Sequence, residues 1–206
     1  MITVIDCHIG NPGSILNMLK KLEVKAVLSS STADIVNADK LILPGVGSFD
    51  TGMKNLAALG LIPVLNKKVI EDKTPILGIC LGMQLFTRAS EEGILPGLGW
   101  IDAETVRFRF DNTQDVQNRI PHMGWNTVKI IRASKLFTDM YSESRFYFVH
   151  SYHIRCNRDE DITTTTFYGY EFVSSIVSDN IAGVQFHPEK SHKFGMKLLV
   201  NFARLA

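Results

Sequence analysis

The order of patterns in the first eighty residues constrains the fold most. Short runs of aliphatic and β-branched residues occur at Ile2 to Ile5, Val24 to Leu28, Lys40 to Leu43 and Pro75 to Ile79. Between them lie stretches of helical period, with Ile15, Leu19 and Leu22 on one face of the first and helical patterns over 51–59 and 62–72. Ser14 stands where it could cap the first helix. Strands separated by helices require right-handed crossovers, so this half predicts a largely parallel sheet. Reactive groups in such sheets gather beyond the carboxyl ends of the strands.

The second half changes character. Trp100 to Phe110, Thr127 to Ile131, Phe146 to Val149, Ile162 to Phe167, Phe172 to Val177 and Ile181 to Gln185 all read as strands with few helices between them. Antiparallel pairing is expected there. A last helix over Lys193 to Leu205 would turn Leu198, Leu199 and Phe202 inward. No internal repeat or linker interrupts the 206 residues, so the prediction is one α/β domain over 1–206. It has three layers, a mixed, largely parallel central sheet and extra antiparallel strands. The polar stretch Asp111 to Arg119 reads as a mobile loop.

Composition excludes several classes of function. A net charge of +1 provides no global field toward nucleic acid or an anionic membrane. The longest near-apolar run, Ile76 to Phe86, is too short to span a bilayer. Asp6 in the opening MITVID argues against a signal peptide. Three cysteines without close spacing, Cys7, Cys80 and Cys156, suit a reducing cytoplasm.

The sharpest chemical signal is Gly78-Ile79-Cys80-Leu81-Gly82, where a strand runs directly into a helix. This is the thiol form of the nucleophile elbow, which needs glycines because neighbours of a tight turn must lack side chains. Cys80 would meet the free N–H groups of a helix start, and the Leu81 N–H would face an oxyanion formed beside the sulfur. Read alone, Cys80 could equally be a small buried apolar residue. Near the other end, Val184-Gln185-Phe186-His187-Pro188-Glu189-Lys190 follows a strand. Glu189, two residues on, can hold one nitrogen of His187 while the other faces a thiol. A surface histidine beside a solvated glutamate is the alternative. Pro44-Gly45-Val46-Gly47-Ser48-Phe49 forms a third segment after a strand, with the Val46 N–H as a second oxyanion donor. It lacks the phosphate-loop pattern, and an ordinary tight turn would also fit. His150, His153 and Cys156 do not suggest a metal site, because a spacing of three on one strand sends side chains to opposite faces. Tyr168, Tyr170 and Phe172 read as one strand face.

The segments PGVGSF, GICLGMQL and VQFHPEKS, in that order, resemble class I (triad-type) glutamine amidotransferases. Pro121-His122-Met123-Gly124-Trp125-Asn126 and Tyr147-Phe148-Val149-His150-Ser151-Tyr152 narrow the resemblance to the glutaminase subunits of imidazole glycerol phosphate synthase. The resemblance spans essentially the whole chain. It implies hydrolysis of glutamine to glutamate and ammonia, with Cys80 forming a γ-glutamyl thioester, His187 moving the proton and Glu189 orienting His187. It also implies substrate contacts from Gly47, Gln84, Glu92, Ser151 and Tyr152. The ammonia would be channelled through a (βα)8-barrel partner that makes imidazole glycerol phosphate and AICAR in histidine biosynthesis. His122, Met123, Trp125 and Lys190 would face that partner in a heterodimer. No metal or organic cofactor is implied.

The chain departs from that pattern at Asp6-Cys7-His8-Ile9-Gly10-Asn11-Pro12-Gly13-Ser14, where the histidine-pathway proteins usually show D-Y-G-x-G-N-L-x-S. The triad positions are untouched. The departure leaves room for a paralogue supplying ammonia for amidino-sugar formation in surface polysaccharide biosynthesis. A non-catalytic partner-binding scaffold would have no need of Cys80, His187 and Glu189 together. A free-standing cysteine hydrolase would have no need of the exposed PHMGWN segment. The isolated chain is expected to be a poor glutaminase, gated by a backbone flip at the PGVG turn.

Overall fold

The computed structural model describes residues 1–110, 119–141 and 143–205. The polar loop expected over 111–119 lies outside these residues except for Arg119, whose backbone N–H and carbonyl both bond to the Tyr168 hydroxyl.

Four strands of the first half, β1 (Ile2–Ile5), β2 (Ala26–Ser29), β3 (Lys40–Gly45) and β4 (Ile76–Cys80), pair in parallel in the order β2-β1-β3-β4. The crossovers between them carry helices α1 (Pro12–Lys21), α2 (Thr32–Val36), α3 (Phe49–Ala58) and α4 (Leu61–Asn66). The segment expected as one helix over 62–72 divides into α4 and a turn of π-helix at Lys67–Glu71. A short helix, α5 (Leu81–Gln84), continues straight from β4. Ser14 does not cap α1. Pro12 already occupies the first turn, where its fixed φ suits a helix start, so the cap position falls on Asn11.

The second half supplies β5 (Ala103–Arg107), β6 (His122–Thr127), β7 (Lys129–Ile130), β8 (Arg145–His150), β9 (Tyr152–Cys156), β10 (Ile162–Tyr168), β11 (Tyr170–Ser178) and β12 (Ile181–Val184), followed by α6 (His192–Ala203). β12 returns to the first half and pairs in parallel with β4. From it the sheet runs antiparallel through β11, β10 and β7, and β9 branches from β11 to pair with β5. β6 and β8 form a separate antiparallel pair. Periodicity did not reveal β6, β9 or α2. Glycine interrupts the first, polar residues the second, and the third is five residues long. Tyr168 of β10 stands opposite Tyr170 of β11, and Phe172 lies two residues further along β11, so the three share one face of the sheet and all three rings surround Phe108.

The sheet separates two apolar cores. α2, α3 and α4 cover one face with Ile35, Phe49, Leu56 and Leu61, and α1 and α6 cover the other with Ile15, Leu19, Leu198, Leu199 and Phe202. β1 serves both, since Ile5 joins the first cluster while Ile2 and Val4 join the second. That is the three-layer arrangement, with a strand's two faces feeding two helical layers. Each large aliphatic side chain so buried contributes roughly 1.5–3 kcal/mol. Among the described residues no helix is long and apolar enough to cross a membrane.

Candidate active site

Strand register assembles the site. Gly45 of β3 stands opposite Cys80 of β4, and Ile79 stands opposite Val184 of β12. Val46, Cys80 and the segment from Gln185 to Glu189 therefore emerge together at the carboxyl ends of three adjacent parallel strands, although 143 positions of sequence separate the outermost two.

Cys80 adopts φ 54° and ψ −112°, a conformation that a residue with a side chain occupies only under strain. Its glycine neighbours permit the turn by close approach. A Cβ on Gly82 would lie 1.9 Å from the Leu43 carbonyl oxygen, and one on Gly78 would lie 2.7 Å from the Met83 nitrogen. Leu81 opens α5 beside the sulfur. Burial pushes the other two thiols up, Cys7 to about 11 and Cys156 to about 12.

His187 is buried, and its backbone is clamped. Its N–H donates to the Tyr147 carbonyl at 2.9 Å, and its own carbonyl accepts from the Ser191 hydroxyl at 2.6 Å. Nδ1 meets Glu189 Oε1 at 2.7 Å. Among the described residues Nε2 is buried with no hydrogen-bond partner, as is Glu189 Oε2. Burial works against a charged imidazole here, but Cys80 and Glu189 beside the ring outweigh it and raise the pKa to about 10.

A cavity of about 240 Å³ opens over Cys80. Val46, Gly47, Leu81, Gln84, Glu92, Ser151 and Tyr152 all line it, so the segments read separately from the sequence face one space. Glu92 Oε2 also accepts from the Phe49 N–H at 2.8 Å, which caps the start of α3. Gln84 is buried and donates from Nε2 to the Tyr152 carbonyl at 3.1 Å and to Gln185 Oε1 at 3.0 Å. Sequence reasoning missed Gln185 and His150. Gln185 Nε2 lies 3.6 Å from Cys80 Sγ, and His150 lines the cavity while Nδ1 meets the Tyr152 carbonyl at 2.7 Å. A glutamine ending a buried strand two residues before His187 was the available signal for the first.

His122 does not belong to the exposed surface expected of it. β6 is a strand, and its period of two turns Met123 and Trp125 outward, at 62% and 46% exposure, while His122 lies inside at 3%. The His122 ring stacks on Tyr168 and Phe148 and bonds through Nδ1 to His150 Nε2 at 3.0 Å. Burial pushes it down to about 4, and burial likewise holds His150 well below the usual histidine range. Trp125 stacks on His192, and the Lys190 ammonium lies 5.6 Å from the centre of the Tyr147 ring, which faces Trp125 across the β6–β8 pair. His150 and His153 sit on separate strands and both pack on Phe108, so the one-strand spacing argument does not describe them. Among the described residues no three His, Cys, Asp or Glu side chains gather as a metal-holding group.

A thiol in a strained turn with a small cavity above it, and beside it an imidazole paired to a carboxylate, all beyond the carboxyl ends of parallel strands, have the chemistry of thiol-dependent acyl transfer. A family model for class I glutamine amidotransferases matches residues 3–205. The chain is 56% identical over 206 residues to imidazole glycerol phosphate synthase subunit HisH 2 of Methanococcus maripaludis, with all of both chains covered. It is 48% identical over 205 residues to the Pseudomonas aeruginosa protein of the same name and 46% identical over 206 residues to HisH 1 of Campylobacter jejuni, again over the full length of each. A crystal structure of a glutamine amidotransferase shares the fold at a TM-score of 0.72 and 17% identity, covering 98% of this chain and 96% of that one. The glutaminase domain of Trypanosoma brucei CTPS with bound acivicin does so at 0.66 and 18%, covering 100% and 94%. The chain belongs to the class I glutamine amidotransferase family.

Proposed function

We propose that the chain hydrolyses glutamine to glutamate and ammonia and delivers the ammonia to a (βα)8-barrel partner that makes imidazole glycerol phosphate and AICAR in histidine biosynthesis. The observation that carries this reading is the cavity above Cys80, lined by Gln84, Ser151 and Tyr152, with the His187–Glu189 pair beside the sulfur. Full-length identity to subunits named for imidazole glycerol phosphate synthase supports the pathway.

In this mechanism Cys80 passes its thiol proton to His187 Nε2 as its Sγ attacks the side-chain amide carbon of glutamine. The Leu81 and Val46 N–H groups stabilise the oxyanion of the tetrahedral intermediate. His187 then gives that proton to the departing ammonia as the C–N bond breaks, leaving a γ-glutamyl thioester. Water then attacks the thioester carbon, its proton passes to His187 and on to the Cys80 sulfur as the C–S bond breaks, and glutamate leaves. Glu189 holds Nδ1 so that Nε2 faces the reaction throughout. Gly47, Gln84, Glu92, Ser151 and Tyr152 hold the substrate. Met123, Trp125 and Lys190 face the partner in a heterodimer, because an exposed tryptophan and methionine side by side on one strand face is the apolar patch an interface covers. The reaction belongs in the reducing cytoplasm, where a catalytic thiol persists.

A second reading, ammonia supply for amidino-sugar formation, rests on the turn after β1. His8 there has φ 57°, and Gly10 packs so closely on the Gly45–Val46 backbone that a Cβ would lie 3.1 Å from the Val46 nitrogen. The segment that departs from the histidine-pathway pattern thus abuts the turn proposed as the gate. Glutamate release is measured for the purified chain alone, with its neighbouring barrel subunit, and with that subunit plus the histidine-pathway nucleotide. A low basal rate raised strongly by both additions is expected. A rise with the barrel that the nucleotide does not increase supports the sugar acceptor instead, and fast turnover by the chain alone overturns the gate.

A further inference from the structure

Gln185 is fully buried and is not among the residues lining the cavity. Apolar residues fill the neighbouring positions of β12, so a polar side chain here calls for a reason. Its surroundings fix the orientation of its amide. The Tyr152 carbonyl can only accept, so Gln84 must turn Nε2 toward it, at 3.1 Å. His150 Nδ1 holds the same carbonyl at 2.7 Å, which anchors it further. The second proton on Gln84 Nε2 goes to Gln185 Oε1 at 3.0 Å. That bond commits Gln185 to present Nε2, a donor, to Cys80 Sγ at 3.6 Å. A flipped Gln185 would turn its oxygen lone pairs on the sulfur and leave two nitrogens facing each other.

We infer that Gln185 is a positioning residue for the nucleophile: its amide N–H holds and stabilises the Cys80 sulfur, in an orientation imposed through Gln84 by the Tyr152 carbonyl. The inference rests on Cys80 being the nucleophile, as proposed above. It extends that reading because the bond comes from a group outside the substrate cavity. It also ties the sulfur to the Ser151–Tyr152 segment through two carboxamides, so a ligand that settles on that segment acts on a network already connected to the nucleophile. A hydrogen bond to a charged group corresponds to roughly tenfold to hundredfold in an equilibrium or rate.

The test alkylates the full chain with iodoacetamide across pH 5–10, following Cys80 by peptide mass, alongside glutamine turnover with the partner present. In Gln185→Leu the pH at half-maximal alkylation should rise by about one unit, and kcat should fall roughly tenfold to hundredfold while KM stays within about threefold. Gln185→Glu keeps the shape and serves if the leucine variant does not fold. Its carboxylate, an acceptor once ionised, should move the profile further in the same direction. A profile unchanged from the parent in a folded variant overturns the inference, whether or not kcat falls, because a purely structural role lowers kcat without moving the sulfur's pH response. Failure of the underlying reading is separate: it appears as glutamine hydrolysis retained by Cys80→Ala.

Discussion

His187 is made chemically distinct from the other buried histidines by its neighbours. Cys7 and Cys156 are kept as thiols by burial, and His122 and His150 are kept neutral by burial. His187 is as deeply buried, yet Cys80 and Glu189 reverse the direction of its shift. Removing the sulfur in Cys80→Ala should reduce glutamine hydrolysis roughly 10³-fold or more while a pull-down of the barrel partner is unchanged. Retained turnover would exclude Cys80 as the nucleophile. Glu189→Gln keeps the geometry but removes the charge that fixes the imidazole, and kcat should fall about 10²–10⁴-fold. A steady-state kcat within tenfold of the parent would assign Glu189 to packing.

At the scale of elements, the junction of β4 and α5 and the alternation along β6 carry most of the consequence. Gly82 has no space for a methyl group against the Leu43 carbonyl, so Gly82→Ala should push α5 away from β3. Overpacking of this kind costs about 1–3 kcal/mol, read as a lowered melting temperature, and activity should fall with it because the elbow moves. An alanine variant that melts and turns over like the parent would show that the elbow is looser than described. Along β6, Trp125→Ser should change stability by no more than about 0.5 kcal/mol while reducing stimulation by the partner. His122→Ala should cost about 1–3 kcal/mol, because it leaves the buried His150 Nε2 without its partner inside the protein. Urea melts of the two variants reverse that order only if β6 has been assigned the wrong face.

For the whole molecule, the histidines set opposite limits on stability with pH. His122 binds its proton less readily in the folded chain, at about 4, than in the unfolded chain. Its contribution is complete above the unfolded value near 6.5 and is lost as pH falls from there toward about 4. His187 binds its proton more tightly when folded, so its contribution is complete below about 6.5 and is lost as pH rises toward about 10. Stability to urea should therefore peak near neutral pH. His122→Gln should make the acid limb shallower, the remainder coming from His150 and His153, and His187→Gln should do the same to the alkaline limb. Identical pH curves for either variant and the parent would remove that residue from the account.

The parallel half of the sheet was legible in the sequence because each strand is a continuous apolar run buried on both faces, flanked by helical periods that repeat every 3.6 residues. So were the Cys80 elbow and the His187-Pro188-Glu189 segment, since strained turns and paired functional groups demand particular residue types at fixed short spacings. Local pattern could not reveal what depends on register between distant segments. That β12 lies beside β4 brings Gln185 to Cys80, and that β6 pairs with β8 sends His122 inward while Met123 and Trp125 face out. The identities of the chemical groups were written along the chain. Which atoms they meet was decided by the tertiary structure, because strand pairing joins residues up to 105 positions apart through contacts that neither segment contains alone.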